Sequence, residues 1–153
     1  MGYARRVFYR LLTLGLALVK PVSAGVRVLL VKDGQVLLVR HTYQDGWHLP
    51  GGGAKRMERL DAAARRGARE EAGAELGQLR LFGIFTNLAE GRADHIAVFL
   101  CEDFTYTGQH DGEIAELRAF PLEAIPADTL PGHRRRVEEY RRGVELGGQF
   151  GMW

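Results

Sequence analysis

The chain has 153 residues, of which 46% are hydrophobic and 26% are charged, a composition typical of one globular domain with a sizeable core. Its formal net charge of +2 is too small to predict nucleic-acid binding, although a mildly basic surface suits a phosphorylated ligand. The single cysteine, Cys101, excludes an internal disulfide, and its place in an apolar run predicts a buried strand residue.

The segment 1–24 has the order of features found in secretory signal peptides. Two arginines precede an apolar run from Leu11 to Val19, and the small residues Ser23 and Ala24 follow it. Because Lys20-Pro21 ends the run, we favour an N-terminal helix packed on the domain, with a signal peptide or a membrane-surface helix as alternatives. The run is too short to span a membrane, and we expect a cytoplasmic protein.

Residues 25–32 and 35–40 are runs rich in valine and leucine, joined by Asp33-Gly34. This pattern predicts a tight β-hairpin whose two strands are largely buried. A polar loop, residues 41–46, then leads to Trp47. We expect this tryptophan to anchor the core or the loop, with stacking on a base as the alternative.

Three glycines at 51–53 precede an alanine-rich stretch, 61–72, and Gly73 follows it. The sequence therefore predicts a glycine loop, a helix and a helix stop. Near the end of the helix, Glu70 and Glu71 are adjacent, and carboxylate oxygens suit a hard divalent cation. The alternative is a solvated helix face with ordinary ion pairs.

The spacing of this stretch resembles the Nudix box, G-x5-E-x7-R-E-U-x-E-E-x-G-U, where U is aliphatic. One position differs, since Gly67 stands where the family has glutamate. The resemblance implies an α/β fold with a mixed β-sheet sandwiched between helices. It implies one Nudix domain, with 25–146 as its core and 147–153 as a tail. The aligned residues are Gly52, Glu58, Arg66, Ala68, Glu70, Glu71, Gly73 and Ala74.

In Nudix proteins this box holds Mg²⁺ or Mn²⁺ against the diphosphate of a nucleoside diphosphate linked to another group. Carried over by position, the resemblance implies that Arg66 orients the residue after it and that Glu58 supports the loop. The implied catalytic residues are Arg66, Glu70 and Glu113. The implied substrate-binding residues are Gly51, Gly52 and Gly53, and the implied metal ligands are Gly52, Glu70, Glu71 and Glu113.

Beyond the box, residues 79–86 and 95–101 have strand composition and are separated by a polar loop, 87–94. A second polar stretch, 104–113, precedes a short predicted strand, 116–120. Many Nudix proteins have an additional acidic ligand in this region. Glu113 is our candidate, with Asp111 and Glu116 as rivals, and a solvated loop acid is an equal alternative.

Residues 131–144 predict a final helix, because Val137, Tyr140 and Val144 recur at helical spacing. We expect the arginines of this helix, residues 134–136 among them, to face outward as a solvated surface, with phosphate binding as the alternative. The tail after residue 146 carries too little pattern to interpret.

We therefore expect a hydrolase that uses Mg²⁺ or Mn²⁺ to cleave a phosphoanhydride bond of a nucleoside diphosphate linked to another moiety. The partner is a small nucleotide or nucleotide derivative, and nucleic acid is not expected apart from capped RNA. The alternative is a nucleotide-binding or regulatory domain with impaired catalysis, because Gly67 removes a carboxylate that His110, Asp111 or Glu113 would have to replace. The substitution Gly67→Glu is expected to raise activity, stabilise the helix, or both.

Overall fold

The computed structural model of the protein describes residues 7, 8, 11, 12 and 22–153. Residues 7, 8, 11 and 12 are helical and exposed, and the rest of the predicted N-terminal helix lies outside the described residues. No helix in the described part of the chain is long and apolar enough to cross a membrane.

Within residues 22–153, a mixed sheet of seven strands forms the centre of the fold. Its strands are β1 (Val22–Lys32), β2 (Gln35–His41), β3 (Gly51–Gly53), β5 (Arg80–Ala89), β6 (Arg92–Cys101), β8 (Ile114–Pro121) and β9 (Gln149–Met152). The order across the sheet is β8-β2-β1-β6-β5-β9, and β3 pairs with the first half of β1. The β1–β6 and β5–β9 pairs are parallel, and the others are antiparallel. Two short strands, β4 (Ala74–Leu76) and β7 (Phe104–Tyr106), form a separate antiparallel pair.

Within residues 22–153, one helix covers each face of the large sheet. Helix α1 (Leu60–Ala72) buries its alanines against the side chains of Val26 and Val28, and α2 (Pro131–Arg141) buries Val137 in the cluster that contains Leu29. Successive side chains of a strand point to opposite faces, so β1 contributes to both cores. This arrangement confirms the predicted α/β fold with a mixed sheet between helices.

The predicted hairpin and box helix are confirmed. Asp33 (φ 51°) and Gly34 (φ 73°) both have the positive φ values of a tight hairpin turn between β1 and β2. Helix α1 ends at Gly73, whose φ of 60° is left-handed and favours glycine. Trp47 and Cys101 are buried, as expected.

The prediction of a loop at residues 87–94 is wrong. Strands β5 and β6 continue through it as a long hairpin, and only the turn at Glu90 and Gly91 connects them. The polar side chains of this region are half-buried or exposed near the hairpin turn, where the paired strands need no apolar alternation. The sequence tail also forms a strand, β9, at the edge of the sheet.

The outward orientation predicted for the α2 arginines is wrong for Arg136, which is 2% exposed. Its guanidinium lies 3.6 Å from the ring centre of Phe85, and its Nη2 lies 2.7 Å from an oxygen of Glu139. Burial lowers the pKa of Arg136 from its usual value. The aromatic face and the carboxylate together compensate for a buried charge.

Candidate active site

Arg66 holds the glycine loop (Gly51–Gly53) to helix α1. It donates two hydrogen bonds to the carboxylate of Glu58, at 2.8 and 2.9 Å, one to the carbonyl of Gly53 at 2.9 Å, and one to Glu70 at 3.0 Å. The donated hydrogen bonds from Arg66 lower the pKa of Glu58 to about 2. A single guanidinium therefore fixes the glycine loop, the segment that follows it and the acidic end of the helix.

Glu71 is held from two strands. One carboxylate oxygen accepts a hydrogen bond from the backbone N–H of Gly51 at 3.0 Å, and the other lies 3.0 Å from Nε2 of His41. The side chain of Glu71 is 12% exposed, whereas that of Glu70 is 46% exposed. The two adjacent carboxylates thus lie in different settings, one enclosed and one open to solvent.

Gly67 packs directly on the glycine loop. A Cβ atom at this position would lie 2.6 Å from the carbonyl oxygen and 2.8 Å from the carbonyl carbon of Gly51. The expectation that Gly67→Glu stabilises the helix is therefore wrong, because the side chain would begin inside another segment's backbone. Where the family has a glutamate side chain, this chain has a close contact between the backbones of Gly67 and Gly51.

The loop after β7 is tied to the last turn of α1. The N–H of Asp111 donates to the carbonyl of Glu70 at 2.9 Å, and the N–H of Thr42 donates to the carbonyl of Glu113 at 2.8 Å. The bond to Glu70 satisfies a carbonyl that a helix end leaves free, and together the two bonds hold the acidic loop beside the box. Glu116 lies on β8 and pairs with Arg118.

The residues at the box have the ligand atoms that a hard divalent cation prefers, because carboxylates and loop carbonyls are oxygen donors. Two of the predicted ligands, Glu70 and Glu71, lie at the end of the same helix next to the glycine loop. In the described part of the chain, however, no three His, Cys, Asp or Glu side chains come together as a metal site. The side chain of Glu113 is therefore not grouped with those of Glu70 and Glu71.

An open cavity of about 1010 Å³ adjoins the glycine loop. Its wall includes Gly52, Gly53 and Glu58 from the box, and residues 130–133 at the start of α2. The two acidic side chains in the wall, Glu58 and Asp94, are already bonded to arginines. The cationic residues in the wall are Arg27, Lys55, Arg56, Arg92 and Arg135. The cavity is thus suited to a negatively charged ligand.

Two buried histidines and Trp153 form one side of this cavity. The rings of His48 and His133 lie 5.0 Å apart, and His133 meets the Trp153 indole at 4.8 Å. Nδ1 of His133 accepts a hydrogen bond from the N–H of Leu49. Burial lowers the pKa of His48 to about 3 and that of His133 well below its usual value. Burial therefore favours the neutral form of both rings, and no local pattern in the sequence marks His133.

The NUDIX domain family model matches residues 19–140. The chain belongs to the Nudix family. Diphosphoinositol polyphosphate phosphohydrolase 2 of Rattus norvegicus is 29% identical over 117 residues, which are 76% of this chain and 65% of the relative. The chain thus matches less than two thirds of that relative's length.

Solved Nudix structures share the fold. A MutT NUDIX hydrolase from Burkholderia pseudomallei has a TM-score of 0.70 at 24% identity, over 76% of this chain and 96% of that one. A NUDIX hydrolase from Nitrosomonas europaea has a TM-score of 0.71 at 21% identity, over 81% of this chain and 91% of that one. Nudix hydrolases generally use divalent metal ions and act on small nucleotide-derived substrates.

Proposed function

We propose that this protein is a pyrophosphohydrolase that cleaves a phosphoanhydride bond of a nucleoside diphosphate linked to another moiety, with Mg²⁺ or Mn²⁺ as cofactor. The observation that carries the proposal is the contact set of Arg66, which joins the glycine loop, Glu58 and Glu70 in one unit. A catalytic constellation needs this kind of fixed geometry, because misplacement of reacting groups slows a reaction steeply.

Glu70, Glu71 and a carbonyl of the glycine loop, that of Gly51 or Gly52, would hold the cofactor. When bound, a divalent ion neutralises phosphate charge and makes water a better nucleophile. Glu71 is already oriented by its two hydrogen bonds, and Glu70 is open to solvent.

Gly67 has no side chain, so it cannot accept the proton in place of the family glutamate. The loop that contains His110, Asp111 and Glu113 is the candidate, since Asp111 is bonded through its backbone to Glu70. Glu113 is exposed on this loop, and its backbone is held by the bond to Thr42, so we assign its carboxylate the role of base.

The cavity beside the box would receive the part of the substrate beyond the scissile diphosphate. Its cationic side chains, Lys55 and Arg56 next to the glycine loop and Arg135 on α2, favour a substrate with several negative charges. A diphosphoinositol polyphosphate is therefore a second candidate substrate, in line with the names of the curated relatives.

The alternative function is nucleotide binding without catalysis, and the backbone contact at Gly67 favours it. A hydrolysis screen separates the two functions. The substrates are nucleoside triphosphates, nucleotide sugars, dinucleoside polyphosphates, capped RNA and a diphosphoinositol polyphosphate, each with Mg²⁺ and with Mn²⁺. Metal-dependent cleavage of one class supports the enzyme. Binding of a substrate without any cleavage would support the binding domain instead.

A further inference from the structure

His41 ends β2 at a point where the pairing with β8 is irregular. The register between these strands shifts between Arg40 and His41, so that His41 pairs with Ile114 and not with the residue next in step. The irregularity bends the strand end and re-aims its side chain. The ring of His41, only 3% exposed, meets the carboxylate of Glu71, which lies 30 residues further along the chain.

Neighbouring rings fix the orientation of this imidazole. The ring of Tyr43 stacks on it with ring centres 5.1 Å apart and planes 22° apart, and the ring of His48 meets it in a T-shaped arrangement with ring centres 4.7 Å apart. With the ring fixed, Nε2 is the nitrogen that lies 3.0 Å from Glu71 and donates to its carboxylate. Glu71 then has one donor for each oxygen, His41 from β2 and Gly51 from β3.

We propose that His41 is a positioning residue that presets the carboxylate of Glu71 for divalent-metal binding. This inference rests on the proposed function, because it takes Glu71 as a metal ligand. A hydrogen bond to a ligating carboxylate fixes its rotamer before the ion arrives, so less ordering remains to be done on binding. The more exposed Glu70 instead pairs with Arg66 on the same helix.

Two amide substitutions separate this role from simple packing. His41→Gln keeps an N–H donor near the place of Nε2, whereas the shorter His41→Asn places its amide near Nδ1, out of reach of Glu71. We expect His41→Asn to weaken Mn²⁺ binding by about 10 to 100-fold, and His41→Gln to bind within a few fold of the wild type. The measurement is calorimetric titration of metal-free protein with Mn²⁺, and urea unfolding of the same samples reports stability separately.

Equal Mn²⁺ affinity in the wild type and His41→Asn would overturn the inference, whatever happens to stability. Absence of Mn²⁺ binding in the wild type would overturn the proposed function and this inference with it. If His41→Asn fails to fold, ¹⁵N-histidine spectra of the wild type decide. We then expect the Nε2–H tautomer and a shift of its signal on addition of Mg²⁺, and an unchanged signal at saturation would contradict the role.

Discussion

The carbonyl oxygen of Gly51 lies 2.6 Å from the position that a Cβ atom would take at Gly67. Helix α1 therefore approaches the glycine loop through backbone atoms at the position where the family has a glutamate. Two effects of a side chain there oppose each other. Replacing a mid-helix glycine by alanine gains up to about 1 kcal/mol of helix propensity, whereas overpacking against fixed backbone costs about 1–3 kcal/mol.

We predict that Gly67→Ala lowers the free energy of unfolding by about 1 kcal/mol, because overpacking outweighs propensity. The measurement is the urea midpoint and slope. The matched control is Gly148→Ala, where nothing lies within 4 Å of the added Cβ. A stabilised Gly67→Ala would mean that the helix can move away from the loop without loss.

We predict that the protein loses stability in acid when Glu58 is protonated and its contact with Arg66 weakens. The pKa of Glu58 is lowered to about 2 from its usual value of 4.5, so its contribution is complete above pH 4.5 and is lost as pH falls toward 2. Glu58→Gln should be less stable at pH 7 and should show a shallower loss across this window. Unfolding curves from pH 7 to pH 2 test this, with the exposed Glu145→Gln as a control. Parallel curves for Glu58→Gln and wild type would contradict it.

We predict that the buried His48 makes folding stability depend on pH in a second window, at higher pH than the window of Glu58. Its pKa is near 3 in the folded protein, against an ordinary value of 6.5 in an unfolded chain, so the unfolded chain binds a proton that the folded chain excludes. Stability should fall as pH drops from 6.5 toward 3, by at most about 1.4 kcal/mol per pH unit for this group. His48→Phe should flatten the slope measured by urea unfolding between pH 4 and 7. An unchanged slope would show that the histidine takes up its proton without unfolding.

We predict that lysine at position 136 of α2 gives a less stable protein than arginine. Arg136→Lys keeps the charge but loses the planar group that covers Phe85, so we expect a loss of about 2 kcal/mol in unfolding free energy. Arg141→Lys on the exposed side of the same helix is the control and should change little. Equal stability of the two variants would show that charge alone, and not the stacked guanidinium, matters at 136.

Local sequence signals predicted the elements that depend on local physics. The Asp33-Gly34 turn, the alanine-rich helix and its glycine stop each follow from conformational preferences of neighbouring residues. The box spacing also places Arg66 four residues before Glu70, and residues four apart on a helix meet on one face, as their hydrogen bond shows.

The features that the sequence did not predict depend on contacts between distant segments. His41 has a partner 30 residues away, and nothing in the loop that follows it marks a histidine as a carboxylate anchor. Arg136 is buried because the tail returns as β9 and brings Trp153 over the helix. The contact of Gly67 with Gly51 likewise follows from how closely α1 packs on the sheet, which the spacing of a motif does not encode.

The most direct test of the proposed function is the rate of phosphoanhydride cleavage, with Mn²⁺ and the best substrate of the screen, for the wild type, Glu70→Gln, Glu71→Gln and Glu75→Gln. Glu75 is an exposed glutamate that follows α1 and pairs with Arg69, so it controls for loss of charge near the site. We predict a loss on the order of 10²-fold for Glu70→Gln and Glu71→Gln, and a wild-type rate for Glu75→Gln. Cleavage by Glu70→Gln and Glu71→Gln at the wild-type rate would contradict the account, because the box carboxylates would then have no part in the reaction.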